Sequence, residues 1–80
     1  MVFDRLKVSS IVQKGLIAQA VIRQLDEDDC SWVLEFELTD GRIEPMTRAR
    51  KSTPKCYKSL DAALNDAHTV GLRKAVIEMT

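Results

Sequence analysis

The 80-residue chain holds only three glycines, at positions 15, 41 and 71. Neither Gly-x-Gly-x-x-Gly nor a P-loop can be written with them, which excludes the glycine-rich phosphate loops of dinucleotide and nucleotide enzymes. There are only two cysteines, Cys30 and Cys56. A small disulfide-scaffolded protein uses four, six or eight. No Cys-x-x-Cys or His-x-x-x-His spacing accompanies them, so Cys30, Cys56 and the single histidine, His68, make a poor zinc set. Apolar runs are a few residues long, far short of the roughly 20 that span a bilayer. Met1-Val2-Phe3-Asp4-Arg5 lacks the basic and apolar regions of a signal peptide. These absences read as a reduced, cytoplasmic chain with no membrane partner, no cofactor and no metal, and with Cys30 a small apolar residue near Trp32.

A net charge of zero, from 12 basic and 12 acidic side chains, is a further lack. It argues against a surface that traps polyanions everywhere. The neutrality is an average over segregated blocks. Residues 1–25 set Arg5, Lys7, Lys14 and Arg23 against Asp4. Residues 26–44 set eight carboxylates against Arg42 alone, whereas residues 45–58 carry Arg48, Arg50, Lys51, Lys55 and Lys58 with no acid.

What is present begins with a strand. Trp32, Leu34, Phe36 and Leu38 alternate with Val33, Glu35, Glu37 and Thr39, the period of a half-buried strand. Asp40-Gly41 follows and predicts a two-residue type I′ hairpin into a strand over residues 42–48. That turn pairs Leu38 with Ile43, Glu37 with Glu44 and Phe36 with Pro45. It sends Ile43 to the core and leaves Pro45 on an edge strand. Ser59 and Asp61 predict a capped helix whose apolar face is Leu60, Ala63, Leu64 and Ala67. Gly71 stops it, with Leu72 folding back on the last turn. Ala75, Ile77 and Met79 alternate with Val76 and Glu78 as a closing strand.

The N-terminal third has two readings. Val8, Ile11, Gly15, Ala18, Ile22 and Leu25 recur at helical spacing, with Ser10 and Gln13 as a capping box. The rival reading is strands broken at Gly15, because Ile11, Val12, Ile17, Val21 and Ile22 are β-branched and Gly15 sits mid-run, with Asp26 to Asp29 as a hairpin loop into Trp32. The expected fold is a single α+β domain over residues 1–80: an N-terminal helix or strands, a β-hairpin, a capped helix and a closing strand, with the helices on one sheet face.

The chemistry-bearing pattern is the basic segment of residues 48–58. Arg48, Arg50, Lys51, Lys55 and Lys58 offer phosphate contacts, with Ser52 and Thr53 between them and Tyr57 available to stack on a base. The same residues also protect an edge strand and a loop over residues 49–58, or pair with the acidic 26–44 block. The Asp26-Glu27-Asp28-Asp29 run lacks the alternation and glycine of a calcium loop and reads as a solvated turn. A thiol nucleophile with a histidine base, Cys56 with His68, has no supporting spacing.

The stretch from Trp32 through Asp40-Gly41 and Arg50-Lys51 to Tyr57-Lys58-Ser59-Leu60-Asp61-Ala62-Ala63 and Gly71 resembles short proteins encoded on bacterial plasmids and other mobile elements, some of them partition-associated. The resemblance covers roughly residues 32–79 and rests on structural elements. It implies a maintenance or regulatory accessory role and assigns no functional residue. The expectation is thus a non-enzymatic binding module, a homodimer, that contacts DNA or RNA through residues 48–58. The alternative is an adaptor for a protein partner, acting through an edge strand or the acidic 26–44 surface.

Overall fold

The structure is a computed structural model and describes residues 3–26, 30–48 and 54–79. Among these residues seven elements follow one another: α1 (Arg5–Gln13), β1 (Ile17–Gln24), β2 (Trp32–Leu38), β3 (Ile43–Pro45), β4 (Cys56–Tyr57), α2 (Leu60–Thr69) and β5 (Val76–Glu78). The α+β expectation holds. Five strands form one mixed sheet in the order β3-β2-β1-β5, and β4 pairs with β2 beside that path.

The N-terminal third divides between its two readings. Asp4, not Ser10, caps α1, its carboxylate accepting from the Lys7 N–H at 3.0 Å. The helix ends at Gln13, where Gly15 takes φ 71°. The Gly15 N–H donates to Val12 O and the Leu16 N–H to Ile11 O, a Schellman stop that satisfies two orphan carbonyls. A single helix over residues 8–25 is therefore corrected. Beyond the stop, the β-branched residues form β1, antiparallel to β2 with Ile22 opposite Leu34. Residues 25–31 connect the two strands.

The hairpin register is one residue from expectation. Phe36 faces Glu44, Glu37 faces Ile43, and Glu35 faces Pro45. The cause is a three-residue loop. The Leu38 N–H donates to Arg42 O and the Gly41 N–H to Leu38 O, with Gly41 at φ 95°. That is a type I turn with a glycine bulge, which Asp-Gly satisfies as readily as a type I′ turn. A one-residue slip flips a strand over. Ile43 is consequently 61% exposed and Met46 fills the core position instead. The Glu37–Glu44 repulsion does not form, and Glu37 accepts from the Gln19 side-chain amide at 2.8 Å. Pro45 does stand on an outer strand, as expected.

The expected loop over residues 49–58 is partly sheet. Thr47 bridges Pro54, and Cys56 and Tyr57 face Val33 and Trp32. Cys30 and Cys56 are joined as a disulfide, which corrects the expectation of reduced thiols.

Ser59 caps α2 as predicted, its hydroxyl accepting from the Ala62 N–H. A second Schellman stop ends it, with Gly71 at φ 101°, the Gly71 N–H on His68 O and the Leu72 N–H on Ala67 O. The buried face differs from expectation: Asp66 joins Ala63, Ala67 and Val70 inside while Leu64 is exposed. Buried residues of both helices share one cluster with Ala20, Ile22, Leu34, Phe36 and Leu38, so both helices cover the same face of the sheet. Strand β5 closes the sheet beside β1 in parallel, Val76 opposite Val21 and Glu78 opposite Arg23.

Candidate nucleic-acid interface

Asp66 organises the base of the basic segment. It projects from α2 into the core and its carboxylate has three donors. The Arg5 Nε–H donates to one oxygen at 2.6 Å, and the Lys55 ammonium donates to the other at 2.8 Å, together with the Tyr57 hydroxyl. These donors come from the first turn of α1 and from either side of the start of β4. A buried carboxylate persists only when so paired, because its desolvation is otherwise uncompensated. Burial alone would raise the Asp66 carboxyl. The hydrogen bonds from Lys55, Tyr57 and Arg5, with the charge of Lys55, outweigh it and hold the group below the usual carboxylate range. The same contact works in the opposite direction on Tyr57. Burial first, then the hydrogen bond to anionic Asp66, pushes its hydroxyl far above the ordinary tyrosine value.

Four residues of the 48–58 expectation are described: Arg48, Lys55, Tyr57 and Lys58. Arg48 is exposed where the chain leaves Thr47, and Lys58 is exposed between β4 and α2. Lys55 is committed to Asp66 and lies 5.3 Å from the centroid of the Tyr57 ring, a cation–π contact. Tyr57 is buried within the core cluster. Its ring is therefore not presented for base stacking, and its hydroxyl is occupied. Arg50 and Lys51 lie outside the described residues, as do Ser52, Thr53 and residues 27–29 of the acidic run.

The structure also adds cations that the segment count did not connect. A cleft of about 350 Å³ between the start of α1 and the root of the basic segment is lined by Asp4, Arg5, Leu6, Thr47, Arg48 and Lys55. On the other side of α1, Lys7, Lys14 and Arg42 line a second cleft of about 340 Å³. Helix α1 is thus flanked on both sides by basic clefts. Their six cations stand against Asp4, Asp40 and Asp66, an excess of three positive charges. Asp40 is bound to its own turn, where the Arg42 backbone N–H, ahead of the Arg42 guanidinium, lowers its carboxyl. Lys7, Lys14, Arg48 and Lys58 form no ion pair among the described residues. The signal for the α1 contribution was the positive excess of residues 1–25; what was missing was that α1 lies beside the 48–58 segment.

The acidic side of the charge pattern goes elsewhere. Glu35 and Glu37 project from the uncovered face of the sheet. Arg23 bridges Glu35 at 2.8 Å and Glu78 at 3.5 Å. Arg23 thus engages two carboxylates of this face, and the two charged blocks make no ion pair with each other among the described residues.

Cys56 is committed to Cys30, so it presents no thiolate, and His68 is exposed in the last turn of α2. No cluster of three His, Cys, Asp or Glu side chains suited to a metal occurs among the described residues. Among the described residues no helix is long and apolar enough to cross a membrane. Comparison with known proteins returns no match to a family model, a curated protein or a solved structure.

Proposed function

We propose that the protein is a non-enzymatic module that binds nucleic acid through phosphate contacts around α1 and the 48–58 segment. It would serve as a maintenance or regulatory accessory of a plasmid or mobile element, the role the resemblance implies. The observation that carries the binding reading is the pair of basic clefts flanking α1, Lys7, Lys14 and Arg42 on one side and Arg5, Arg48 and Lys55 on the other. Two cationic clefts on either side of one helix offer phosphate contacts at separate points along a nucleic-acid backbone. Arg50 and Lys51 follow Arg48 closely in sequence and supply two further cations. With Tyr57 withdrawn into the core, base stacking contributes nothing in this reading, and binding is governed by the backbone and weakly selective. The adaptor alternative through the acidic surface has less support, because Glu35 and Glu37 already have partners.

The test is affinity for mixed-sequence DNA and RNA across a range of salt concentrations. Log affinity is expected to fall linearly with log salt, by about 0.9 per phosphate engaged on duplex DNA. Arg48→Ala with Arg50→Ala and Lys51→Ala should lower the slope by roughly three contacts' worth, and Lys7→Ala with Lys14→Ala by about two. Arg5 and Lys55 are left unchanged because they hold Asp66. Undetectable binding, or binding indifferent to salt, overturns the proposal.

A further inference from the structure

The two edges of the sheet are treated differently. On one side, β3 carries Pro45 and is followed by β4 and the basic segment, devices that discourage strand pairing. On the other side lies β5, and among the described residues no strand pairs with its outer edge. Its two apolar side chains alternate between the faces and are exposed, Val76 at 47% and Ile77 at 39%, and Met79 just beyond the strand is 75% exposed. A bare edge with apolar residues on both faces is a template for another strand.

Strand β5 with the two residues that lead into it, Lys74-Ala75-Val76-Ile77-Glu78, is apolar between a cation at one end and an anion at the other. We propose that β5 is the homodimer interface, pairing antiparallel with β5 of a second copy about a two-fold axis through Val76 and perpendicular to the sheet. In that register Val76 faces its own symmetry mate, Ala75 faces Ile77 of the other copy, and Lys74 faces Glu78 twice. The axis keeps the helices of both copies on the same side. Centring on Ile77 instead sets Glu78 against Val76 and forms no ion pair. Centring between the two residues turns one sheet over, so that covered and uncovered faces meet.

The charges already on the sheet select the same register. Glu35, Arg23 and Glu78 form a row across β2, β1 and β5. Lys74 of the second copy extends that row with a cation beyond Glu78, so signs alternate across the seam. Opposite charges directly across an antiparallel pair are favourable and like charges are not. An isologous contact of this kind closes on itself and stops at two copies. It is also small, so the dimer is concentration-dependent, not obligate.

Sedimentation equilibrium over a range of about 5 to 500 µM tests it, because mass action moves a weak dimer through that window. The wild type should rise from its monomer mass of 9.0 kDa towards twice that value. Lys74→Glu sets two carboxylates face to face at each end of the seam, and Glu78→Lys sets two ammonium groups there. Each reversal alone should weaken association about tenfold or more. In an equimolar mixture of the two variants, the mixed dimer sets a carboxylate opposite an ammonium group at both ends, so mixing should restore association. The double reversal, Lys74→Glu with Glu78→Lys in one chain, restores an opposite-charge pair at both ends and should recover most of the wild-type affinity. Circular dichroism of each variant confirms that the fold is retained. A wild type that stays monomeric throughout overturns the proposal, and so does a dimer unaffected by either reversal. A double reversal that associates no better than the single ones overturns the register. None of these readouts depends on nucleic acid, so the binding proposal stands or falls separately.

Discussion

A single buried carboxylate decides how the basic segment is anchored. Asp66 accepts from Arg5, Lys55 and Tyr57, residues 61, 11 and 9 positions away in sequence. Such contacts carry no local pattern, which is why the helix face read from apolar spacing placed Leu64 inside and overlooked Asp66. Replacing Asp66 with alanine leaves the Tyr57 hydroxyl buried without an acceptor, at about 1–3 kcal/mol. Asp66→Asn keeps an acceptor for Tyr57 and removes only the charge, so it isolates the ionic part. The pH dependence has a definite sign. Asp66 binds its proton less tightly in the fold than in the unfolded chain, where the value is about 3.9. Its contribution is therefore complete above that value and is lost as pH falls through the lower folded value. Urea denaturation should show this acid limb in the wild type and a smaller one in Asp66→Asn. Tyr57 has the opposite sign. Its stabilisation is complete below the ordinary tyrosine value of about 10 and lost as pH rises beyond it. It is the chain's single tyrosine, so phenolate absorbance reports it alone, and its appearance should coincide with unfolding.

At the scale of elements, the legible parts were those fixed by short-range chemistry. The β2 alternation, the Ser59 cap, the Gly71 stop and the closing strand were all readable because each is determined within a few residues. Where two local signals competed, tertiary context decided. Residues 17–24 have a helical recurrence of apolar positions but β-branched side chains, and pairing along the whole of β2 selected the strand. The hairpin slip arose because Asp-Gly fits two turn types, and only the burial of Met46 in place of Ile43 separates them. The candidate site was half legible: the 48–58 cations could be named, but the α1 cations beside them could not. The two glycine stops make a matched pair for a test. Gly15 and Gly71 both sit at positive φ, but a Cβ at Gly15 meets nothing, whereas one at Gly71 comes within 3.4 Å of Val12 Cγ1. Gly15→Ala should lose about 1–2 kcal/mol from backbone strain alone. Gly71→Ala should lose about the same, since 3.4 Å is an ordinary van der Waals contact that Val12 accommodates in place. A clearly larger loss at Gly71 in thermal unfolding would show that α1 has to yield there.

At the scale of the whole molecule, the question is how so short a chain holds one face of a five-stranded sheet closed. An 80-residue domain has a total stability of roughly 4–12 kcal/mol. Both helices are brief, and β3, β4 and β5 hold two or three residues each. The Cys30–Cys56 bond is therefore a large fraction of what keeps the fold together. It ties the start of β2 to β4 across 26 positions, enclosing β2, β3 and the basic segment. Closing a loop of that length restricts the unfolded chain by about 3.5 kcal/mol in the chain-entropy treatment. The same bond fixes Cys56 between Lys55 and Tyr57, the two β4-side donors to Asp66. Reduction should accordingly lower the urea midpoint by the equivalent of about 3 kcal/mol. The Cys30→Ser, Cys56→Ser double variant should match the reduced protein and show no further response to reductant. The Asp66→Asn loss, measured again in that double variant, then reports on the coupling. If the bond positions Lys55 and Tyr57, the loss shrinks when it is absent, a non-additivity of about 0.5 kcal/mol or more. Strict additivity would mean that the bond only shortens the unfolded chain and that α1 and α2 hold the carboxylate's donors in place without it.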